Sequence, residues 1–262
     1  MIYIDTIKSF YPPGVRDNPL LTKYIIKEYI QLMILDYLSS SEFIRKLIFI
    51  GGTNLRLTRG LDRFSEDLDF DCKDFSADEF FEMTGDIIRY LRNSGLNVEA
   101  RDRENPNLTA FRRNLYFPGF LYELGLSGHR DERFLIKLEC EDQKYAYSPL
   151  IVNIKGCGFF FPLPVPPDGI ICAMKVSAML DRRKGRDFYD AMFLLSQATP
   201  DFGFLSFKCN IGDMSSLKEK ALEIIEKTDL KRKAKDFEFL LFNKEKSKQI
   251  LHAEAFFREL ND

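Results

Sequence analysis

Apolar and polar positions follow two rhythms along this chain, and the change from one to the other separates two halves. From Leu20 to Leu38 apolar residues recur at helical spacing, with Ile25, Tyr29, Leu32 and Met33 on the stripe. Asn18-Pro19 ahead of them supplies a cap and a first-turn proline, so a helix is predicted there. The preceding residues 1–17, broken by Pro12-Pro13-Gly14, read as an irregular lead. A short helix is expected at Ser41–Arg45. Leu47-Ile48-Phe49-Ile50 is an unbroken apolar run stopped by two glycines, the pattern of a buried strand entering a tight turn. Thr53–Arg59 then reads as a short helix with Gly60 as its stop.

From Asp67 to Cys72 the period drops to two: acids at 67, 69 and 71 alternate with Leu68, Phe70 and Cys72. Ser76 with Glu79 forms a capping box that opens a helix reaching about Asn93, closed by Gly95. Further strands are expected at Asn97–Arg103, Phe111–Phe117, Phe134–Glu141 and Ile151–Ile154. The stretch Phe161–Asp168 carries Pro162, Pro164, Pro166 and Pro167 and reads as a hinge, unfit for a regular helix or a central strand. Beyond it the periodicity is helical, at about 170–184, 187–197, 215–227, 230–242 and 246–260. The expected class is α+β: a mixed sheet flanked by helices in residues 1–165, then an all-α domain in residues 166–262. No internal repeat or low-complexity tract interrupts either half.

Composition narrows the chemistry. The chain has 262 residues, 45% of them hydrophobic, with 25 Phe and no Trp, enough for a substantial core. A net charge of -2 gives no global attraction to nucleic acid, so any RNA contact needs a local patch. Cysteines at 72, 140, 157, 172 and 209 are odd in number and form no C-x-x-C pair, which suits a reducing compartment. His129 and His252 are the only histidines, so zinc sites and Ser/His/Asp triads lose weight. Ile2–Phe10 is short and broken by Asp5 and Lys8, and no apolar run is long enough to span a bilayer; a cytoplasmic protein is expected.

Two features carry candidate chemistry. Gly51-Gly52-Thr53 lies at a strand-to-helix turn, where glycines let backbone N–H groups approach a phosphate and a helix start adds donors. Asp67 and Asp69, at i and i+2 on the next strand, point the same way and can share divalent cations. Ser65 could add a hydroxyl to the same phosphates. The plain alternatives are an ordinary turn and a solvated sheet face. A calcium loop fits poorly, since Cys72 stands where a glycine is required and Asp78 where the bidentate Glu belongs.

The stretch FIGGTNLRLTRGLDRFSEDLDFD resembles the first motif of the AbiEii/AbiGii family of toxin-type nucleotidyltransferases, which share a polymerase-beta-like palm. AMKVSAMLDRRKGRDFYDAMFLL resembles the family's later pattern of a Lys, a basic run and Arg-Asp-x-x-Asp. The resemblance covers roughly residues 18–200. It implies that Gly51, Gly52 and Thr53 hold nucleotide phosphates, and that Asp67 and Asp69 bind magnesium, two ions in all. It also implies a third carboxylate on a later strand. Glu139 is the candidate and Glu141 the alternative of the same parity. Lys175 and Asp187 are carried over from the second motif. Lys175, Arg182 and Arg186, at i, i+7 and i+11, would form one cationic stripe on a continuous helix, with Asp190 at its edge. Asp187 is equally placed to be an N-cap.

The implied reaction moves a nucleoside monophosphate from an NTP to an acceptor hydroxyl. Relatives that modify the tRNA 3′ end make RNA the expected acceptor, and the toxin class implies an antitoxin partner. Transfer to a small molecule or a protein side chain, or an inactive nucleotide-binding module, are the alternatives. Residues 218–248 carry ten Lys/Arg against seven Asp/Glu, including the run Lys231-Arg232-Lys233-Ala234-Lys235, a modest footprint for RNA. Arg101, Arg103, Arg112 and Arg113 are a second candidate patch.

Overall fold

The computed structural model describes residues 3–102 and 110–260. The chain divides into two compact units, Met1–Lys144 with Pro149–Val165, and Tyr145–Ser148 with Pro166–Asp262.

In the first unit the lead contains two short helices, α1 (Ile4–Lys8) and α2 (Pro13–Arg16), where irregular chain is expected. Pro12 and Pro13 cause the second, since a proline at the first helical position is pre-set for helical φ. Asn18 Oδ1 accepts from Leu20 N–H at 3.0 Å and starts a 3-10 turn, Pro19–Leu21, that runs into α3 (Thr22–Ser39). A 3-10 turn at Glu42–Lys46 leads into β1 (Leu47–Ile50), followed by α4 (Gly51–Arg59), which begins two residues earlier than the pattern predicts. Then come β2 (Asp67–Cys72) and α5 (Ala77–Asn93), the latter opened by the Ser76/Glu79 capping box. β3 is only Glu99–Ala100; Arg103, the end of the expected strand, lies outside the described residues. β4 (Phe111–Tyr116), α6 (Phe120–Glu123), β5 (Leu135–Glu141), β6 (Leu150–Gly156) and β7 (Phe159–Val165) complete the unit.

Five strands form a mixed sheet in the order β1-β2-β5-β4-β3. Among the described residues, only the β2/β5 pair of this sheet is parallel. Leu68, Phe70, Ile136, Leu138 and Cys140 point from its centre into a core shared with α3 and α5, where Ile30, Leu35, Met83 and Ile87 are fully buried. β6 and β7 pair antiparallel as a separate hairpin. Of the proline-rich segment expected to be a hinge, residues 161–165 are thus strand, while Pro166 and Pro167 connect β7 to the next helix, where the two units divide. Pro162 and Pro164 have the same parity, so both missing N–H groups fall on the edge away from β6, where no ladder bond is lost. Phe161, Leu163 and Val165, of the other parity, are buried.

The second unit is helical: α7 (Asp168–Arg182), α8 (Gly185–Leu195), α9 (Phe202–Cys209), α10 (Met214–Glu226), α11 (Leu230–Lys235) and α12 (Ala253–Glu259), with 3-10 turns at Glu238–Leu240 and Lys244–His252. The α+β class therefore holds. Arg183, at φ +54°, ends α7 in the left-handed region, so the helix expected to continue through 184 stops short. Gly185 then opens α8 against the backbone of α11, where an added Cβ would meet Lys233 O at 1.9 Å. The long helices expected at 230–242 and 246–260 are each broken into a short α-helix and a 3-10 turn.

Candidate active site

Alternation along β2 sends Leu68, Phe70 and Cys72 into the core and Asp67, Asp69 and Asp71 to the opposite face. The same parity on β5 puts Lys137, Glu139 and Glu141 on that face. Register then fixes neighbours: Asp67 lies beside Lys137, Asp69 beside Glu139, and Asp71 beside Glu141. On the far side of β5, Arg112 stands opposite Glu139. Glu139, rather than Glu141, is therefore the acid alongside Asp69.

The glycine turn reaches the same place because β1 pairs with β2, so that Ile50 lies opposite Asp69 and the next residue begins α4. Gly51 has φ +83°, and a Cβ there would lie 2.1 Å from Asp69 Oδ2. At Gly52 an added Cβ would meet Ser65 Oγ at 2.7 Å and Arg63 Nη2 at 2.9 Å. Both glycines are thus demanded by close approach, the first also by its backbone. Thr53 is different: it is buried and its hydroxyl donates to the Asp67 carbonyl, tying α4 to β2, so only its backbone N–H is positioned for an anion.

Three residues missed in the sequence support this corner. Arg63, 1% exposed, donates from Nη1 to Phe64 O at 2.9 Å beside Gly52. Gln31 Nε2 donates to Ser65 O at 3.1 Å, fastening that loop to α3. Lys137 Nζ lies 3.1 Å from Asp67 Oδ2 and 3.1 Å from Glu139 Oε2. Burial, the largest influence on that ammonium, pulls its pKa down, but the Asp67 and Glu139 charges reverse this and leave it raised. The other Glu139 oxygen accepts from Arg112 Nε. The R-x-S spacing ahead of Glu66-Asp67 and the period-two position of Lys137 were the available signals for two of the three.

Among the described residues, no group of three or more His, Cys, Asp and Glu side chains is gathered so as to hold a metal ion. The donors themselves suit one: Asp67, Asp69 and Glu139 offer hard carboxylate oxygens on one sheet face, the ligand type magnesium takes. Two of the three already hold an ammonium between them. Asp71 shares their parity but not their exposure. It is fully buried, accepts from Gln143 N–H at 2.9 Å and pairs with Lys73 at 3.4 Å, which makes it a holder of the β5–β6 connection.

The other predicted residues lie in the second unit. Lys175 on α7, 8% exposed among Ile171, Val176 and Met179, pairs with Asp190 of α8 at 3.0 Å. Arg182 Nη2 donates to Asp187 Oδ1 at 2.7 Å. Asp187 accepts from Lys184 N–H at 3.2 Å, so it caps α8 from the third helical position and is not the N-cap itself. The single stripe of Lys175, Arg182 and Arg186 does not form, because the left-handed Arg183 separates α7 from α8. The second arginine patch is also changed: Arg112 binds Glu139, Arg113 pairs with Asp102 at 3.1 Å, and Arg101 pairs with Glu99 at 2.9 Å. Arg103 lies outside the described residues.

The family model described as nucleotidyl transferase AbiEii toxin, type IV toxin–antitoxin system, matches residues 34–209, from within α3 to the end of α9. The chain belongs to the AbiEii nucleotidyltransferase toxin family. It is accordingly a nucleotidyltransferase. Among solved structures it is similar to MenT4, a nucleotidyltransferase toxin from Mycobacterium tuberculosis, at 16% identity and a TM-score of 0.61, covering 100% of this chain and 91% of that one. JHP933 from Helicobacter pylori is similar at 18% identity and a TM-score of 0.55, covering 90% of this chain and 91% of the other. At these identities the likeness is one of fold. No curated protein matches the chain. No helix among the described residues is long and apolar enough to cross a membrane.

Proposed function

We propose that this AbiEii-family enzyme transfers a nucleoside monophosphate from an NTP to an RNA hydroxyl, at the face carrying Asp67, Asp69 and Glu139. The observation that carries this assignment is the side-by-side register of Asp69 and Glu139 with Gly51 pressed against Asp69. The N–H groups of the first turn of α4, at Gly51, Gly52 and Thr53, and the Ser65 hydroxyl receive the triphosphate oxygens. Asp67, Asp69 and Glu139 would hold two magnesium ions. Bound there, magnesium would lower the pKa of the acceptor hydroxyl and neutralise the departing pyrophosphate. The acceptor hydroxyl releases its proton to solvent as its oxygen bonds to the α-phosphorus, the bond from that phosphorus to the β-phosphate oxygen breaks, and pyrophosphate leaves.

The first unit is then the catalytic domain and the second the carrier of the basic motif. Lys175, Arg182, Arg186 and Asp187 are assigned to triphosphate binding and its support by the family pattern in which they stand. The tRNA 3′ end is the proposed acceptor. The run on α11 supports it, since Lys231, Arg232 and Lys235 are exposed. An antitoxin is the proposed protein partner, and NTP and tRNA as substrates put the site of action in the cytoplasm.

The test is incubation with each labelled NTP, magnesium and total tRNA. Label should enter the tRNA fraction with the parent enzyme and not with Asp67→Ala/Asp69→Ala. Equal transfer by the double variant would refute the site, and label in a small molecule or in protein would replace RNA as acceptor. Transfer that persists at low salt and falls steeply as salt rises would support a phosphate-backbone contact.

A further inference from the structure

Lys137 stands directly across the parallel ladder from Asp67 and two residues before Glu139 on its own strand, so all three share one face. Its stem spans both acids, and Nζ contacts each at 3.1 Å. Asp69 and Glu139 are paired across the ladder, about 5 Å apart, and Asp67 lies diagonal to Glu139, about 7–8 Å away, so the like charges of this face repel. Arg112 offsets one oxygen of Glu139 through its Nε, reaching across from β4. Lys137 differs in kind: a compact point charge on a flexible stem, it binds without a fixed fork and can leave without rebuilding the strand. Its partners are two of the three proposed metal-binding acids.

We propose that Lys137 is a tethered counter-cation that competes with divalent cations for Asp67 and Glu139. With no divalent cation bound, its ammonium keeps the acids aligned and their repulsion offset. Divalent binding is then an exchange, in which Lys137 gives up both carboxylates, and the intrinsic affinity of the acids is masked by the ammonium. Lys137 is a positioning residue, acting through Asp67 and Glu139. The inference rests on the assignment of that face as the metal-holding one, and the experiment separates the two.

The measurement is Mn2+ binding by electron paramagnetic resonance in chelator-stripped, nucleotide-free protein, for the parent, Lys137→Met, Lys137→Arg and Asp69→Asn. Thermal midpoints are recorded with and without Mn2+. Removing one positive charge next to the bound ion should tighten Mn2+ binding about tenfold in Lys137→Met. The same variant should melt earlier than the parent without Mn2+ and gain more from its addition. Lys137→Arg, which keeps the charge, should bind no more tightly than the parent. Binding by Lys137→Met at parental strength or weaker, with Asp69→Asn defective, overturns the role of Lys137 and leaves the site standing. Parental binding by Asp69→Asn removes the site and the proposal together. If Lys137→Met does not fold, Lys137→Gln is held to the same outcomes.

Discussion

Gly51 and Asp69 are packed so closely that residue 51 has no room for a side chain: a Cβ would sit 2.1 Å from the Asp69 carboxylate. Gly51→Ala therefore suffers twice. The left-handed backbone at φ +83° costs an L-residue about 1–2 kcal/mol, and Asp69 must also be pushed aside. Gly60 separates the two effects, since it has φ +71° and nothing within 4 Å of an added Cβ. Gly60→Ala should lower the melting temperature and keep its transfer activity. Gly51→Ala should lose at least about tenfold in activity, the effect of roughly 1.4 kcal/mol on the barrier. Equal activity of the two variants, measured as pyrophosphate release, would disprove the phosphate-and-carboxylate corner.

Asp69 and Asp71 are two residues apart on one strand, yet they should answer to different assays. Asp71 has no exposed surface and holds Gln143 N–H and Lys73. Asp71→Ala leaves those groups without their acceptor and should cost about 3 kcal/mol in chemical denaturation. Asp69→Ala should lose less stability than Asp71→Ala and abolish transfer. A stable, fully folded Asp71→Ala would show that its burial carries no structural weight.

The Asp142–Lys73 pair near Asp71 gives a pH dependence of defined sign. Burial of the Asp142 carboxyl, the largest influence, raises its pKa, but Lys73 at 2.7 Å, with Lys144 N–H and ammonium, overrides it and holds the group well below the usual carboxylate range. A depressed folded-state pKa stabilises the fold above the unfolded-state value of about 3.9, and that contribution is lost as pH falls below it. Asp142→Asn should thus be less stable than the parent at neutral pH, with the gap narrowing steadily below about pH 4. A gap that stays constant from pH 7 to pH 2 in urea titrations would rule the pair out as its source.

What the sequence made legible follows parity and local signals. The two-residue period of Asp67–Cys72 and of Leu135–Cys140 is enough to assign the acids to one face, because a strand has only two. Which strand neighbours which is a long-range outcome, so the contact of Arg112 with Glu139 and the bridge made by Lys137 were not readable, although both side chains were in view. The break between α7 and α8 was legible, since separate helices are expected at 170–184 and 187–197, but its exact place was not, because its left-handed residue is Arg183, neither Gly nor Asn. Helix α9 did carry a signal that went unused. Asp201, after Pro200, accepts from Phe204 N–H at 2.7 Å, an N-cap ahead of an apolar run. Pro162 and Pro164 misled because a proline excludes a central strand but not the outer edge of a hairpin.

Lys175 poses the sharpest separation of structure from chemistry, because a lysine amid apolar residues needs a partner, and Asp190 at 3.0 Å is one. Deleting one member of a buried pair strands the other and typically costs about 3–5 kcal/mol, whereas replacing both is close to neutral. Asp190→Ala and Lys175→Met should therefore each lower stability, and Lys175→Met/Asp190→Asn should recover most of the loss. Activity of the double variant then decides the role. If Lys175 only neutralises Asp190, transfer should return together with stability. If Lys175 acts on the triphosphate, as its place in the family's Lys and Arg-Asp-x-x-Asp pattern implies, stability should return while transfer stays at least about a hundredfold down, the size expected for losing a positioned cation from the transition state. Melting curves and labelled-nucleotide transfer on the same preparations distinguish the two, and recovered activity would remove Lys175 from the catalytic set.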